Sequence, residues 1–374
     1  MDFQNTNLFN VRLNLLSGNL LPMTDKSDKS SFSLFWKVYC AFVWLLELVY
    51  MISLILAYFL APNEAILSDS FDGLFVIEEV GFVIDYSRIL TQKTLVQKLI
   101  RNLNKALSIK DENMRRIVTT NLKSIKNPFI YYLVTGTGSL IFWCCTTLPL
   151  ILERNTFYHA DYNTPAVFYK EPFSLGVFLL GNMMIMVCNI YLFLKVISVD
   201  VYTAHLISLI TAQYQYISSR LVLIFQNNKH PNNRSSREGN SEVDSFTATE
   251  IKNLCRQHVN VMQDLSYVIT VRSKSLLITC RKYFLFLITV LKYLYINKTA
   301  VYFSKSSEIT NEAFHENWNQ LNLSVKRTFL LMMMASNNIE IKLSLFDRFN
   351  LSLPLFMSVL NQAYSVALLI LRMS

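Results

Sequence analysis

The sequence has 374 residues, of which 35 are Lys or Arg and 26 are Asp or Glu, so its formal net charge is +9. Hydrophobic residues make up 52% of the chain and charged residues only 16%, whereas a soluble domain carries about 25% charged residues. This composition excludes a disordered chain, a collagen-like repeat and a small disulfide-rich scaffold. Because the apolar residues come in long blocks, we predict a membrane protein.

Four apolar segments are long enough to cross a bilayer, for which a helix needs ~20 mostly apolar residues. In chain order they are residues 34–60, 130–152, 173–194 and 349–371. The last three contain no charged residue, and the first contains one acid, Glu47, and one base, Lys37, near its start. We predict that all four span the membrane.

Two further segments consist mostly of apolar residues but are interrupted by charged ones. A charged side chain inside a span costs free energy unless it faces protein or water. Residues 71–90 include Asp72, Glu78, Glu79, Asp85 and Arg88, and residues 276–296 include Arg281, Lys282 and Lys292. With these two, six spans can be read in the sequence.

The charges of the loops predict the orientation of the spans. The connection 61–70 contains Glu64 and Asp69 but no Lys or Arg, whereas residues 88–126 contain ten basic residues. The segment 153–171 is nearly neutral, and 200–274 is basic again. Because positive loops stay in the cytoplasm, we predict a cytoplasmic N-terminus.

Between the fourth and fifth spans, the polar segment 227–245 lacks apolar periodicity and is predicted to be a flexible cytoplasmic loop. The flanking segments 201–225 and 250–271 are long and amphipathic. We expect them to extend the spans into the cytoplasm and to pack there as a helical base.

No arrangement of residues indicates catalysis. The five histidines lack metal-ligand spacing, and Gly136 and Gly138 lie inside a span, where helix packing explains them better than phosphate binding. The cysteines lie outside the extracellular loops, so no extracellular disulfide is expected. We predict a protein that is not an enzyme, needs no cofactor or metal, and binds no nucleic acid, because cytoplasmic loops beside an anionic leaflet explain its positive charge.

The C-terminal residues 349–369, FNLSLPLFMSVLNQAYSVALL, resemble the last helix of the insect odorant receptors, whose pattern is F-x-L-S-L-x-x-F-x-x-I/V-L-x-x-A-Y-S. Two other stretches resemble the family more loosely. One follows the fourth-helix pattern and includes Glu171, Pro172, Phe173, Val199, Asp200, His205 and Gln213; the other precedes the last helix and includes Ser307, Glu308, Ile309, Ala313 and Trp318.

The resemblance implies an all-α, polytopic membrane protein of seven spans with a cytoplasmic N-terminus. It implies an odorant-binding tuning subunit, distinct from the co-receptor, in a heterotetrameric, odorant-gated, non-selective cation channel assembled with a shared odorant co-receptor. The implied partners are a small volatile or hydrophobic odorant, the co-receptor and the lipid bilayer. The implied location is the cell membrane, in the dendrite of an olfactory neuron.

On this reading the chain divides into four parts. Residues 1–33 are a cytoplasmic N-terminal segment, and 34–199 hold the first four transmembrane helices with the ligand pocket. Residues 200–348 hold the cytoplasmic extensions and a shortened fifth- and sixth-span region. Residues 349–374 are the pore-lining last helix.

Two features depart from the family's pattern. Pro354 stands where the family more often has a polar residue, and proline inside a helix removes a hydrogen bond. Between His258 and Trp318 the chain has room and hydrophobicity for one span, where the family has two. Six crossings would leave the C-terminus inside, whereas the family's C-terminus is outside.

The resemblance implies that the candidate ligand-binding residues lie in the outer halves of the second, third and fourth spans, and the composition there suits a pocket that combines apolar surface with a few polar groups. They are Phe71, Phe75, Glu78, Trp143, Thr146, Thr147, Phe178, Met183 and Met184. Ordinary helix packing explains the same composition, and Glu78 with Glu79 would also suit an aqueous vestibule.

The candidate pore-lining residues come from matching the family's last helix residue by residue, which places the constriction in its final two turns. They are Leu360, Tyr364, Ala367, Ile370 and Leu371. Four of them, 360, 364, 367 and 371, share one helical face. A hydrophobic constriction of this kind gates by dewetting, and lipid-facing packing is the alternative for each residue.

Three other functions remain open from the sequence. A related gustatory-receptor-like channel would have the same architecture, but its T-Y-x-x-x-x-x-Q-F signature is absent after Tyr364. A secondary transporter would require internal repeats, which we do not find. A truncated, non-functional odorant receptor would keep the pattern without forming a pore.

Overall fold

The computed structural model describes residues 2–24, 33–60, 83, 86–87, 89–108, 111–162, 170–228, 239–272 and 330. The helices in these parts are α1 (Phe3–Thr6), α2 (Leu8–Leu16), α3 (Leu34–Leu60), α4 (Lys93–Leu107), α5 (Glu112–Cys145), α6 (Leu150–Glu153), α7 (Leu175–Asn228) and α8 (Gly239–Arg272). Strands β1 (Thr156–Phe157) and β2 (Phe173–Ser174) pair antiparallel, and a single 3-10 turn, His159–Asp161, lies between them. The mainly helical fold confirms the all-α prediction.

Three of the predicted spans are present as helices long and apolar enough to cross a membrane. They are Leu34–Leu56 in α3, Glu112–Glu153 in α5 and α6, and Leu175–Ile224 in α7. They contain the predicted spans 34–60, 130–152 and 173–194 almost completely. Most of 71–90, and all of 276–296 and 349–371, lie outside the described residues.

Helix α7 is the longest helix in the described part of the chain and joins the membrane region to the helical base. At 1.5 Å per residue its 54 residues extend for about 81 Å, well beyond the ~30 Å of a hydrocarbon core. Its second half therefore continues out of the bilayer, as the amphipathic segment 201–225 predicted. The predicted flexible loop 227–245 is too long, because α7 runs to Asn228 and α8 begins at Gly239.

The helical base, which the sequence predicts to lie in the cytoplasm, is built around the second half of α7, which packs against α4, α8 and the first turns of α5. Its buried apolar residues form one cluster, which includes Val96, Leu99, Leu103, Met114, Val118, Leu209, Ile210, Ile217, Ile251, Leu254, Val261 and Leu265. In α4 these residues recur at helical spacing, so one face of the helix is buried and the other carries its cations. Hydrophobic burial in water holds this region together.

Asp111 fastens the start of α5 to α7. One of its carboxylate oxygens accepts a hydrogen bond from the Asn113 backbone N–H (2.9 Å), which caps the helix. The other oxygen accepts a hydrogen bond from the Tyr216 hydroxyl (2.8 Å). Chiefly because of that bond to Tyr216, the pKa of Asp111 lies below its usual value.

The N-terminal segment is folded onto the rest of the protein. Phe3 is fully buried and stacks on the ring of His205 with a centroid distance of 4.4 Å. The ring nitrogens of His205 lie 3.1 Å from Thr6 Oγ1 and 3.1 Å from Asn10 Nδ2. Because the Asn10 amide nitrogen donates to Nδ1, the imidazole proton lies on Nε2 and faces the Thr6 hydroxyl.

After α2 the chain turns at Gly18, whose φ of +71° is a conformation that favours glycine. The Gly18 carbonyl oxygen accepts hydrogen bonds from the Trp44 indole N–H (3.2 Å) and from the Cys40 thiol. The Asn19 amide nitrogen donates to the backbone carbonyl of Lys195 (3.0 Å). The segment that follows α2 is thus held between the first and fourth spans.

Candidate ligand-binding region

The outer ends of α3, α5 and α7 meet under the loop that contains β1 and β2. The two strands pair Thr156 with Ser174 and Phe157 with Phe173, so the loop folds back over the start of α7. The buried apolar residues at this end form a cluster separate from the base: Tyr50, Leu54, Cys144, Phe157, Tyr162, Phe173, Phe178, Ile185 and Cys188. These residues, together with Asn182 and Asn189, which make hydrogen bonds to Cys144 and Tyr50, are called the outer cluster below.

Stacked aromatic rings close the outer cluster toward the extracellular side. Phe178 is fully buried, and its ring stacks on Phe157 with centroids 4.3 Å apart and on Tyr162 with centroids 5.2 Å apart. Tyr162 also stacks on Phe173, with a centroid distance of 5.7 Å. Each stacked pair stabilises the fold by roughly 0.5–1.5 kcal/mol beyond the burial of its rings. The rings therefore hold the loop in place over the ends of the helices.

Gly181 allows the cover to approach α7 closely. A Cβ at this position would lie 2.1 Å from the Tyr162 hydroxyl oxygen and 2.7 Å from the ring carbon that bears it. The Tyr162 hydroxyl also lies 3.4 Å from the carbonyl oxygen of Val177, which is one helical turn before Gly181. Only glycine leaves room for this contact.

Polar groups lie below the aromatic rings, on the buried faces of the helices. The Tyr50 hydroxyl donates to Asn189 Oδ1 at 3.0 Å, which joins α3 to α7. Asn182 Nδ2 donates to the Cys144 carbonyl oxygen at 3.0 Å, which joins α7 to α5. The outer cluster therefore contains an amide and a phenol that can exchange hydrogen bonds with a small molecule inside an apolar surround.

The structure divides the predicted ligand-binding residues into three groups. Phe178 and Thr147 are buried at the outer cluster, and the Thr147 hydroxyl donates to the Cys144 carbonyl oxygen (3.2 Å). Met184 is half-buried on α7, whereas Trp143, Thr146 and Met183 lie on exposed faces. Phe71, Phe75 and Glu78, like Glu79, are outside the described residues.

The sequence prediction did not include Tyr50, Asn182 and Asn189. The two asparagines carry a readable signal, because they lie at i and i+7 in an otherwise apolar span and share a face with Phe178 at i−4. Tyr50 carries no such signal, since its role depends on a partner 139 positions away in the chain.

The candidate pore-lining residues Leu360, Tyr364, Ala367, Ile370 and Leu371 are outside the described residues, so they stay predictions. Within the described part of the chain, no group of three His, Cys, Asp or Glu side chains could hold a metal ion. The five cysteines described, at positions 40, 144, 145, 188 and 255, are free thiols.

The single acid of the first span, Glu47, forms a buried ion pair with Lys195 at the inner side of the membrane region. Both side chains are almost inaccessible to solvent, and the Lys195 ammonium lies 3.4 Å from the centre of the Trp44 ring. The pair and the cation–π contact compensate two charges that would be expensive if either were left alone.

Comparison with known proteins places these features in a wider context. The family model described as 7tm odorant receptor matches residues 265–364. The solved structure of the insect olfactory receptor OR5 from Machilis hrabei in complex with eugenol aligns over 100% of both chains with a TM-score of 0.70 and 14% sequence identity. A second structure of that receptor, from the same organism, has a TM-score of 0.67 and 13% identity over 98% of this chain and 97% of its own. No curated protein matches the sequence.

At this low identity the structural alignments establish a shared fold. The aligned receptor covers the chain from end to end, in agreement with the predicted seven-span architecture. The family model covers the C-terminal region that the structural description leaves out, up to Tyr364 in the predicted pore helix.

Proposed function

We propose that this chain is a member of the insect odorant receptor family and that it is the odorant-binding tuning subunit of an odorant-gated, non-selective cation channel. In this proposal it assembles with a shared odorant co-receptor into a heterotetramer in the cell membrane of olfactory neuron dendrites. Its last helix lines the pore, and its outer cluster belongs to the odorant pocket.

The observation that carries the proposal is the chemistry of the outer cluster. Aromatic rings of Phe157, Tyr162 and Phe178 cover a buried region that contains the Tyr50–Asn189 hydrogen bond and the amide of Asn182. A volatile odorant is small and mostly apolar, with few polar atoms. Such a molecule gains from desolvation against the rings, and one hydrogen bond to the amide or phenol would fix its orientation.

The aligned Machilis receptor, whose structure was solved in complex with eugenol, supports the same ligand class. For this chain we propose a hydrophobic odorant carrying at least one hydrogen-bonding group. Thr147 and Phe178 are the predicted ligand-binding residues nearest to this arrangement. Trp143, Thr146, Met183 and Met184 stay candidates from the sequence prediction.

Seven spans are part of the proposal, because the pore helix must end on the outer side. The full-length alignment with the Machilis receptor supports them. An epitope placed after Ser374 tests this point: staining of intact cells is the expected result. Staining only after permeabilisation would contradict the seven-span channel.

The direct test is an odour-evoked current in cells that express this chain with the co-receptor. We expect a cation current for some members of a hydrophobic odorant panel, and none when either subunit is omitted. Tastant-evoked current without the co-receptor, or G-protein signalling without a current, would contradict the proposal.

Variants of α7 then locate the pocket. We expect Phe178→Ala and Asn189→Leu to raise the half-maximal odorant concentration about tenfold or more, since each removes a contact worth roughly 1–3 kcal/mol. Leu180→Ala is the matched control, because Leu180 lies on the exposed face of the same helix. Surface labelling must show equal amounts of all three variants, and equal shifts for Leu180→Ala and Phe178→Ala would contradict the pocket.

A further inference from the structure

Helix α2 carries an exposed stripe that alternates apolar and charged residues. Leu8 is 58% exposed and Leu16 is 54% exposed, and the exposed Arg12 lies midway between them at four-residue spacing. Residues at i, i+4 and i+8 share one face of a helix. Arg12 is also the only charged residue between Phe3 and Thr24.

The packing of α2 sets its level relative to the membrane. Its inner face, with Phe9 and Leu13, packs against Ile125 and Phe129 of α5, just before the predicted span at 130–152. At its C-terminal end, the Leu16 carbonyl oxygen accepts a hydrogen bond from the Tyr39 hydroxyl (2.8 Å), near the start of α3. Helix α2 therefore lies where α3 and α5 enter the bilayer from the cytoplasm.

The neighbouring helix α5 has exposed cations at the same level. Lys123 and Lys126 are both exposed. Val134, 64% exposed, and Ile141, 41% exposed, lie at i+11 and i+18 from Lys123 and so share its face. With a rise of 1.5 Å per residue, Lys123 is about 10 Å below residue 130, a distance at which its flexible stem reaches the headgroup layer.

No acidic side chain balances these cations in the described part of the chain. Neither Arg12 nor Lys123 nor Lys126 takes part in one of the four ion pairs found there. The sequence of α5 beyond Asn113 contains no Asp or Glu up to Leu152. A partner for this surface must therefore bring both negative charge and an apolar layer.

We propose that α2 is an interfacial helix and that Arg12, Lys123 and Lys126 bind the phosphate groups of anionic phospholipids in the inner leaflet. Leu8 and Leu16 enter the acyl boundary on either side of Arg12, as in amphipathic helices that lie in a membrane interface. The lipid-facing stripe of α5 continues directly into the hydrocarbon above Lys123.

A lipid fits this surface better than a second copy of the chain. A protein neighbour would need acids opposite three cations, and the exposed faces of α2 and α5 at this level contain none. The inner leaflet supplies both requirements at the right depth, since its anionic headgroups attract juxtamembrane cations.

The test measures the thermal stability of the purified full-length chain in neutral detergent with added phosphatidylserine or phosphatidylcholine. We expect phosphatidylserine to raise the melting temperature more than phosphatidylcholine does. In the variant R12Q/K123Q/K126Q, about tenfold more phosphatidylserine or a larger excess should be needed for the same rise, because three cations that attract anionic headgroups are lost.

The matched control is K105Q/R115Q/R116Q, which also removes three exposed cations. These lie at the cytoplasmic tip formed by the end of α4 and the start of α5, with Arg116 about 21 Å below residue 130, and should leave the phosphatidylserine effect unchanged. Equal weakening by both variants, or none by either, would overturn the proposal.

Two further results would also overturn it. If inorganic phosphate or soluble glycerophosphoserine reproduced the rise, the site would bind free anions and not a membrane. If R12Q/K123Q/K126Q changed the subunit stoichiometry while keeping the lipid response, the surface would be a contact between subunits. Because no odorant is used, the test is independent of the proposed channel function.

Discussion

In the base, helices α4, α7 and α8 bury their apolar side chains, with Leu99, Leu209 and Leu265 among them, while cations of α4 and α8, such as Lys98 and Lys252, are exposed. In the membrane region the same protein exposes large apolar side chains, such as Tyr131, 69% exposed, and Phe142, 74% exposed. Both regions contain a part of helix α7, but water surrounds the base whereas lipid surrounds the membrane region.

Polar contacts matter most for helix packing in the membrane region. Hydrophobic burial drives helix packing in water, but lipid tails are as apolar as leucine, so burial gives little advantage inside a bilayer. The membrane helices are accordingly joined by the Glu47–Lys195 pair, by the Tyr50–Asn189 and Asn182–Cys144 hydrogen bonds, and by a close approach at Gly136.

The largest expected effect comes from breaking the ion pair of the membrane region. Lys195→Met leaves Glu47 charged and buried, which should lower stability by about 3–5 kcal/mol. The double variant E47Q/K195M removes both charges and should recover most of that loss. Surface expression and the melting temperature of the purified protein measure the loss of stability in the single variant and its recovery in the double variant. If the double variant is no better than Lys195→Met, the pair is not the source of the effect.

In the base, Phe3→Ala should destabilise by about 3 kcal/mol or more, because it removes a fully buried ring and leaves a cavity beside His205. Gln4→Ala, at the neighbouring half-buried position, serves as the control and should have little effect. Limited proteolysis after residue 24 is the sharper readout, since a released N-terminal segment would be cut faster. Equal rates for the two variants would contradict a docked N-terminus.

Gly136→Ala tests the close approach in the membrane. The added Cβ would lie 1.9 Å from Phe193 Cζ, whose ring packs edge-on against Tyr132, so overpacking should destabilise by about 1–3 kcal/mol. Gly138→Ala is the matched control, because nothing lies within 4 Å of its Cβ. Adding Phe193→Leu to Gly136→Ala should restore stability, and failure of this rescue would point to a different cause.

The smallest expected effect is the pH dependence of the base. Burial raises the pKa of Asp264 to about 6, although Asn102 donates a hydrogen bond to it (2.8 Å) and Lys98 lies near it. The folded state thus binds a proton more tightly than the unfolded chain, so this group's contribution favours folding at low pH and is lost as pH rises through 6. Asp264→Asn should stabilise at pH 7.5 and be nearly neutral at pH 3.5, below the pKa of 3.8 that this carboxyl has in the unfolded chain. Equal effects at the two pH values would contradict the raised pKa.

Much of the fold could be predicted from the sequence. The spans in α3, α5 and α7 follow from hydropathy, and the long cytoplasmic helices follow from the amphipathic patterns of 201–225 and 250–271. The packing interpretation of the two glycines holds for Gly136, whereas a Cβ added at Gly138 would meet nothing within 4 Å among the described residues. The N-terminal segment was expected only to be cytoplasmic, and its docking was not predicted because it depends on contacts with a residue 199 positions away.

The candidate site was only partly predictable for the same reason. Hydropathy could place Phe178 and Thr147 in the outer halves of spans, but it could not say which face of each helix points inward. Met183 lies five residues after the buried Phe178 yet is exposed, because five residues turn a helix by about 140°. The helices that pack around α7 determine which of its faces is buried.

Local sums of hydropathy and charge were enough to predict a membrane protein, its spans and a cytoplasmic N-terminus, and the spans in α3, α5 and α7 are confirmed. The contacts of Glu47 with Lys195, of Tyr50 with Asn189 and of Phe3 with His205 are visible only in the folded protein. Each of those contacts joins residues more than a hundred positions apart, and the geometry of packed helices, which a linear pattern does not contain, brings them together.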